Sequence, residues 1–188
     1  MTETLLTPTQ AEALDNHGYD QAKAQARSIV FYVEALNCDY DRLYELRNER
    51  EELASAAQDP ESEDEMKQAA LDLTNWDEAN AEELKQLQDQ AGDCESEEQA
   101  RERIQEDALS VEVRSAWGNA GETLEAEDFR IVLCTGGPHV EIRGEIGTYG
   151  EPSRAWIQYQ DWGTPMTQFF DIEQSTLIEY CRQFYFGE

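Results

Sequence analysis

Residues 107–114 read Asp107-Ala108-Leu109-Ser110-Val111-Glu112-Val113-Arg114, and the spacing of the apolar residues changes within this stretch. From Leu109 onward apolar and polar side chains alternate, which is typical of a half-buried antiparallel strand. Before Asp107 the chain is rich in Ala, Glu, Gln, Leu and Arg, all strong helix formers. The sequence therefore predicts an α+β fold, with an acidic helical region over residues 1–107 and a small α+β domain over residues 108–188.

The helical region contains two apolar stripes separated by a short break. One stripe runs from Ile29 to Leu53 and the other from Met66 to Ala91, with apolar residues at the spacings of one helix face. The break is Gln58-Asp59-Pro60-Glu61-Ser62, and Ser62 with Glu65 has the spacing of a capping box. Two stripes joined by a capped turn predict an antiparallel helical hairpin.

We place the two arms of this hairpin at about residues 19–58 and 62–91. A helical arm of about 30 residues is on the order of 45 Å long, at ~1.5 Å per residue. A short helix is predicted over residues 96–106, because Ser96-Glu97-Glu98-Gln99 has the pattern of a helix start. The helical region then ends where the strand pattern begins.

The region after Asp107 predicts a four-stranded antiparallel sheet and one helix. Each strand is bounded by turn-forming residues, and the final helix follows Asp171 and carries Leu177 and Cys181. The predicted strands are Leu109–Arg114, Phe129–Thr135, Val140–Glu145 and Arg154–Asp161. This order of strands followed by a helix is that of an α+β domain.

The charge of the chain is strongly unbalanced, with 42 Asp and Glu against 14 Lys and Arg and a formal net charge of −28. Residues 1–107 carry −20 of this and residues 108–188 carry −8. Such a field repels nucleic acid and anionic membranes and attracts a partner with a basic groove. Since 10% of the residues are aromatic, the acidity does not indicate disorder. We therefore expect a basic nucleic-acid-binding protein or complex as partner, and no direct binding to nucleic acid or membrane.

The charge of the predicted hairpin can be compared with that of DNA. Residues 29–91 hold 18 acids and 5 bases, a balance of −13, whereas duplex DNA carries roughly 26 charges over about 45 Å. The hairpin would have about half the charge density of DNA and could act as a DNA mimic. The acids that we predict to contact the partner are Glu45, Glu49, Glu52, Asp72, Glu82 and Glu83.

A cluster of aromatic residues near the end of the sheet region allows two interpretations. Trp156, Tyr159 and Trp162 are either part of the core or the apolar centre of a protein interface, where Trp and Tyr are enriched. In the second case, the protein could form a homodimer through this aromatic surface. The apolar stripe of the hairpin is the other candidate for self-association.

The sequence offers little for catalysis. His17 and His139 are its two histidines, and Cys134 could approach His139 through the turn at Gly136-Gly137-Pro138. No orienting acid or oxyanion donor is evident beside them, and Cys134 is more simply the inward end of an apolar strand. We therefore predict no catalytic residues, with a Cys-His enzyme as a distant third alternative.

Metal and cofactor motifs are also missing from the sequence. The acidic clusters lack the spacing of a calcium-binding loop, the four cysteines form no closely spaced pair, and no phosphate-binding loop occurs. We predict neither a metal nor a cofactor. Met1–Thr9 lacks the features of a signal peptide, and no apolar run is long enough to span a membrane, so we expect a cytoplasmic protein.

Three segments resemble a family of acidic proteins carried on integrative elements and plasmids of proteobacteria: Ser110-Val111-Glu112-Val113-Arg114-Ser115, Leu133-Cys134-Thr135-Gly136-Gly137-Pro138 and Tyr159-Gln160-Asp161-Trp162. The resemblance is strongest over residues 105–186. A mobile-element setting implies an anti-defence role, as an anti-CRISPR or antirestriction protein that inhibits a CRISPR effector or a restriction enzyme. The resemblance supplies no catalytic residues.

Together these patterns favour a non-enzymatic acidic binding protein. The alternative is a structural or regulatory interaction module that self-associates through the hairpin or the aromatic surface. The sequence does not identify the partner.

Overall fold

A computed structural model describes residues 17–58, 62–121, 123–147 and 149–187. This part of the chain contains five helices and one five-stranded antiparallel sheet, which confirms the α+β class. The helices are α1 (His17–Leu36), α2 (Tyr40–Gln58), α3 (Glu63–Ala91), α4 (Glu97–Asp107) and α5 (Gln174–Cys181). The strands are β1 (Ser110–Ser115), β2 (Ala126–Cys134), β3 (His139–Ile146), β4 (Pro152–Gln160) and β5 (Thr167–Phe169).

The chain divides into two units that differ from the two predicted regions. One unit, the hairpin unit, is residues 34–100, and the other, the sheet unit, joins the chain up to Val33 with the chain from Arg101 onward. The predicted boundary at 107/108 falls inside the sheet unit. The reason is that most of α1 and the end of α4 belong with the strands rather than with the hairpin.

The hairpin unit is organised around the antiparallel pair α2 and α3. Leu43 and Leu46 of α2 are buried together with Leu84 and Ala91 of α3, and Trp76 packs against this cluster. The end of α2 and the start of α3 lie on either side of residues 59–61, which are outside the described residues. The predicted closing turn at Asp59-Pro60-Glu61 is therefore not described.

Both predicted helix starts have the expected caps. Ser62 Oγ accepts a hydrogen bond from the Glu65 amide at 3.3 Å at the start of α3. At the start of α4, Ser96 Oγ accepts from the Gln99 amide at 3.2 Å, and Gln99 Oε1 accepts from the Glu95 amide at 3.0 Å. Each bond satisfies an amide that has no partner within its helix.

The predicted first arm, residues 19–58, is two helices rather than one. The amide of Cys38 donates to the carbonyl of Ala35 at 3.2 Å, which tightens the end of α1. Asp39 Oδ1 then accepts from the Arg42 amide at 2.9 Å, as an N-cap residue does, and α2 begins at Tyr40. The continuous prediction was wrong here because Asp39 favours a cap over a helix interior.

The sheet is a meander in which each strand pairs with its neighbours in sequence, in the order β1-β2-β3-β4-β5. Four strands were predicted and the fifth, β5, has only three residues, too few for a clear alternating pattern. One face of the sheet forms a core. A row of directly paired residues crosses this face from edge to edge: Val111, Ile131, Ile142, Ile157 and Phe169.

Helices cover this core face of the sheet. α5 packs against β4 and buries Leu177, Tyr180 and Cys181. Tyr19 of α1 contacts the ring of Tyr159, with 6.0 Å between the ring centroids, and that of Phe169, at 5.7 Å. None of the described helices combines the length and apolar composition needed to cross a bilayer.

The opposite, outer face of the sheet carries charged side chains in cross-strand rows. In one row Glu112, Arg130 and Arg143 lie opposite one another and end at Trp156. The next row contains Arg114, Asp128, Glu145 and Arg154. Three of the five directly opposed charged pairs in these rows join an acid to a base, which stabilises a sheet, whereas Arg130 opposite Arg143 and Asp128 opposite Glu145 are like-charged.

Candidate functional surfaces

The hairpin unit carries most of the charge of the protein. It contains 22 acids and 5 bases, a balance of −17, while the other 121 residues carry −11. In the described parts of α2 and α3 every acid is exposed except Asp77, which is half-buried. The charge of this unit is therefore presented to solvent.

Some of the hairpin's polar groups join its two helices. Arg42 donates from Nε and Nη2 to the two carboxylate oxygens of Glu83, at 3.0 Å each. Arg50 Nε donates to Asp77 Oδ1 at 2.8 Å, and Trp76 Nε1 donates to Glu49 Oε2 at 3.0 Å. The hydrogen bond from Arg42 lowers the pKa of Glu83.

The six predicted contact acids thus have different environments. Glu49 and Glu83 connect the helices, and Glu45 forms an ion pair with Arg42 at 3.5 Å within α2. Asp72 accepts from Gln68 Nε2 at 2.8 Å. Glu52 and Glu82 are exposed and form no hydrogen bond or ion pair with another described residue. All six were predicted from helical spacing, which cannot distinguish an acid that joins two helices from one that faces only solvent.

The three aromatic residues proposed for an interface do not share one surface. Trp156 is half-buried on the outer face of the sheet, where the Arg154 guanidinium lies 5.4 Å from the ring centroid. Tyr159 is 0% exposed and belongs to the core face, so for this residue the core interpretation applies. Trp162 follows β4 and is 83% exposed. The odd spacing between Trp156 and Tyr159 places them on opposite faces of a strand.

Cys134 and His139 have separate partners. Cys134 Sγ donates to the carbonyl of Pro138 at 3.3 Å, and His139 Nε2 lies 2.9 Å from Glu141 Oε2. Cys134 is paired with Val140, a core-face residue, whereas His139 immediately precedes Val140 in β3 and points to the other face. This arrangement gives no support to a nucleophile and base pair.

Glu141 is a feature that sequence analysis missed. It is only 1% exposed, although the alternation in β3 places it on the outer face. Its Oε1 accepts from Arg143 Nε at 2.5 Å, and its Oε2 faces His139 and also Arg130 Nη1, at 3.7 Å. A buried carboxylate needs such partners to offset its lost hydration. The sequence signal for this arrangement was a base two residues from Glu141 on each side, His139 and Arg143, and a further base, Arg130, on the paired strand.

A shallow cavity of about 290 Å³ lies on the outer face of the sheet. Its charged lining consists of Glu112, Arg114, Asp128, Arg130 and Arg143. Arg114 is ion-paired with Asp128 and Arg130 with Glu112. Within the described ranges, no three His, Cys, Asp or Glu side chains converge as metal ligands would.

No protein-family profile, no curated protein and no solved structure matches the chain. The functional proposal therefore depends on charge, on geometry and on the three sequence segments quoted above.

Proposed function

We propose that the protein is a non-enzymatic acidic binding protein that occupies the basic nucleic-acid-binding surface of another protein. The observation behind this proposal is the hairpin unit, which has a balance of −17 and exposes nearly all described acids of α2 and α3. Acidic surfaces of this strength accelerate association with a basic groove and favour it over other partners.

The charge density sets the degree of DNA mimicry. α3 contains nine acids and two bases over 29 residues, a length of about 44 Å. A single DNA strand of that length carries roughly 13 charges, so the net −7 of the helix is about half of that value. The hairpin therefore resembles nucleic acid in its field rather than charge by charge. Glu45, Glu52, Asp72 and Glu82 are the proposed contacts, because Glu49 and Glu83 hold the helices together.

The biological role that we propose is anti-defence. The support is the resemblance of three sequence segments to acidic proteins of mobile elements, together with the acidic hairpin unit. CRISPR effectors and restriction enzymes hold nucleic acid in basic channels, which are the surfaces that the hairpin's field would attract. Inhibition would follow from occupation of the channel.

The test is capture of the partner by the immobilised protein from a nuclease-treated host extract, followed by elution with duplex DNA. We expect a nucleic-acid-binding protein that DNA displaces and that binds less as salt rises from about 0.05 M to about 0.2 M. The triple variant Glu45→Lys, Glu52→Lys, Glu82→Lys should lose this partner.

The matched control is Glu125→Lys, Glu127→Lys, Asp171→Lys, which makes the same charge change at exposed acids of the sheet unit. This variant should retain the partner. Capture of the same protein by the hairpin variant, or capture that does not depend on salt, would contradict the proposal. Circular dichroism of both variants establishes that they remain folded.

A further inference from the structure

β1 is an edge strand with unusual exposure of apolar side chains. It pairs with β2 on one side, and no strand of the described residues pairs with its other side. Val111 is 38% exposed and Val113 is 51% exposed, and Leu109 just before the strand is 61% exposed. Exposed apolar edge strands invite pairing with another strand unless they are protected.

The exposed valines continue the core of the sheet. Val111 lies directly opposite Ile131, and Val113 lies opposite Phe129. These partners are 0% and 2% exposed. The apolar layer of the core face thus runs to the edge of the sheet without being covered there, and a further strand beside β1 would extend it.

The charged residues of β1 make the strand complementary to itself. Glu112 and Arg114 precede and follow Val113 in the sequence, and their side chains lie on the outer face. If two copies of β1 pair antiparallel with Val113 opposite Val113, Glu112 of each copy lies directly opposite Arg114 of the other. Such pairs of unlike charge stabilise an antiparallel ladder.

Other symmetric registers lack this match. Along an edge strand, every second residue points its backbone N–H and C=O groups away from the sheet. In a symmetric antiparallel pair of β1 strands the two-fold axis therefore passes through a pair of identical residues. Moving the axis to the next residue changes the partner of every residue by two positions. Centring the pair on Glu112 opposes two acids, and centring it on Arg114 opposes two bases. Only the register centred on Val113 opposes Glu112 and Arg114.

We infer that a second copy of this chain pairs through β1 in the register centred on Val113, so that two five-stranded sheets become one ten-stranded sheet. Each charged row of the outer face then continues across the junction, with Asp128 and Arg114 of one copy followed by Glu112 and Arg130 of the other. Leu109 and Trp117, which lie just before and just after β1, are 61% and 103% exposed in the single chain, so exposed apolar side chains lie at both ends of the junction. This pairing involves the sheet unit and is independent of the proposed role of the hairpin.

The test is a charge exchange followed by sedimentation or light scattering over about 1 to 300 µM protein. The parent should form a dimer. Glu112→Arg and Arg114→Glu should each weaken it roughly tenfold, because each places two like-charged pairs at the junction. An equimolar mixture of the two variants should form a heterodimer as tight as the parent dimer, since every opposed pair then joins an Arg to a Glu.

The heterodimer distinguishes a lost interface from a misfolded variant, because misfolded chains would not regain pairing on mixing. Glu102→Arg and Arg103→Glu in α4 make the same charge changes at exposed positions away from β1 and should leave the dimer unchanged. A parent that stays monomeric throughout the range overturns the inference. So does a dimer that neither variant weakens, or a mixture that does not recover.

Discussion

Asp107 has a half-buried carboxylate that packs against a tyrosine in the sheet unit. The Tyr180 hydroxyl donates to Asp107 Oδ2 at 2.7 Å. Burial raises the pKa of Asp107, and the hydrogen bond from Tyr180 opposes part of that increase. Because the folded pKa exceeds the unfolded one, the native state binds this proton more tightly. Asp107 therefore contributes most to stability below its unfolded pKa, and that contribution is lost as pH rises through the folded pKa.

Replacement of Asp107 separates the charge from the hydrogen bond. Asp107→Asn keeps an acceptor for Tyr180 and removes the charge, so we expect it to be at least as stable as the parent at about pH 7 and to lose this advantage at about pH 4. Asp107→Ala should cost about 1–3 kcal/mol, because the buried hydroxyl loses its acceptor. Urea unfolding at both pH values measures these differences. An Asn variant as unstable as the Ala variant would show that the charge itself is required.

The face on which a strand residue lies can be predicted from the polarity pattern of that strand alone. Val140, Glu141 and Ile142 alternate in polarity in the sequence, and β3 has Val140 and Ile142 on the core face with Glu141 on the opposite face. The alternation did not reveal that Glu141 is buried, because burial depends on where the long side chains of Arg130 and Arg143 lie. Those positions are set by pairing between strands, which the alternation does not specify.

At the scale of elements, Gly144 fixes the contact between β2, β3 and β4. It lies opposite Phe129 of β2 and Ala155 of β4. A Cβ added at Gly144 would lie 2.2 Å from Phe129 Cζ and 2.4 Å from the carbonyl oxygen of Arg154. The ring of Phe129 cannot easily move away, because it packs on Phe186 with 4.4 Å between the centroids.

Gly144→Ala should therefore destabilise the sheet unit by about 1–3 kcal/mol, the usual cost of overpacking. The control is Gly118→Ala, whose added Cβ would approach the side chain of Leu124, an exposed residue that can rotate away. We expect the control to change stability by less than about 0.5 kcal/mol. Denaturant unfolding gives both values, and equal effects would show that the close approach at Gly144 is relieved at no cost.

The elements that were predicted correctly have strong local signals. Ser62 and Ser96 start helices because their side chains satisfy amides three residues later, which is visible in the sequence as a spacing. The interruption between α1 and α2 was missed because the apolar stripe continues through it. β5 was missed because its place beside β4 comes from tertiary pairing rather than from its own three residues.

For the whole molecule, the net charge of −28 opposes folding. Like charges repel in the native state, and salt screens them as the Debye length falls from about 30 Å at ~0.01 M to about 8 Å at ~0.15 M. The melting temperature should therefore rise over this range, by about 2–4 °C for each kcal/mol of repulsion removed. Differential scanning calorimetry measures the change. A fall in melting temperature would show that ion pairs outweigh the repulsion.

The sequence predicted that most of the charge precedes the strands, and the structure narrows its position to the hairpin unit. The number of charges follows from composition, but composition does not show which acids face solvent and which are paired with a base. Arg42 and Arg50 engage Glu83 and Asp77 across the hairpin, and such pairs depend on the register between α2 and α3. That register places Glu83 in the helix contact and leaves Glu82 facing solvent.

The contacts of Tyr19 have a consequence for synthesis of the chain. Its ring packs against Phe169, about 150 residues later, and at ~5–20 residues per second a ribosome needs roughly 10–30 s to reach that partner. The contacts within the hairpin unit span far less sequence. For example, the Cys38 thiol donates a hydrogen bond to the carbonyl of Leu87, 49 residues later. The acidic hairpin can thus fold while it is being made, whereas α1, although translated first, waits for the last strand.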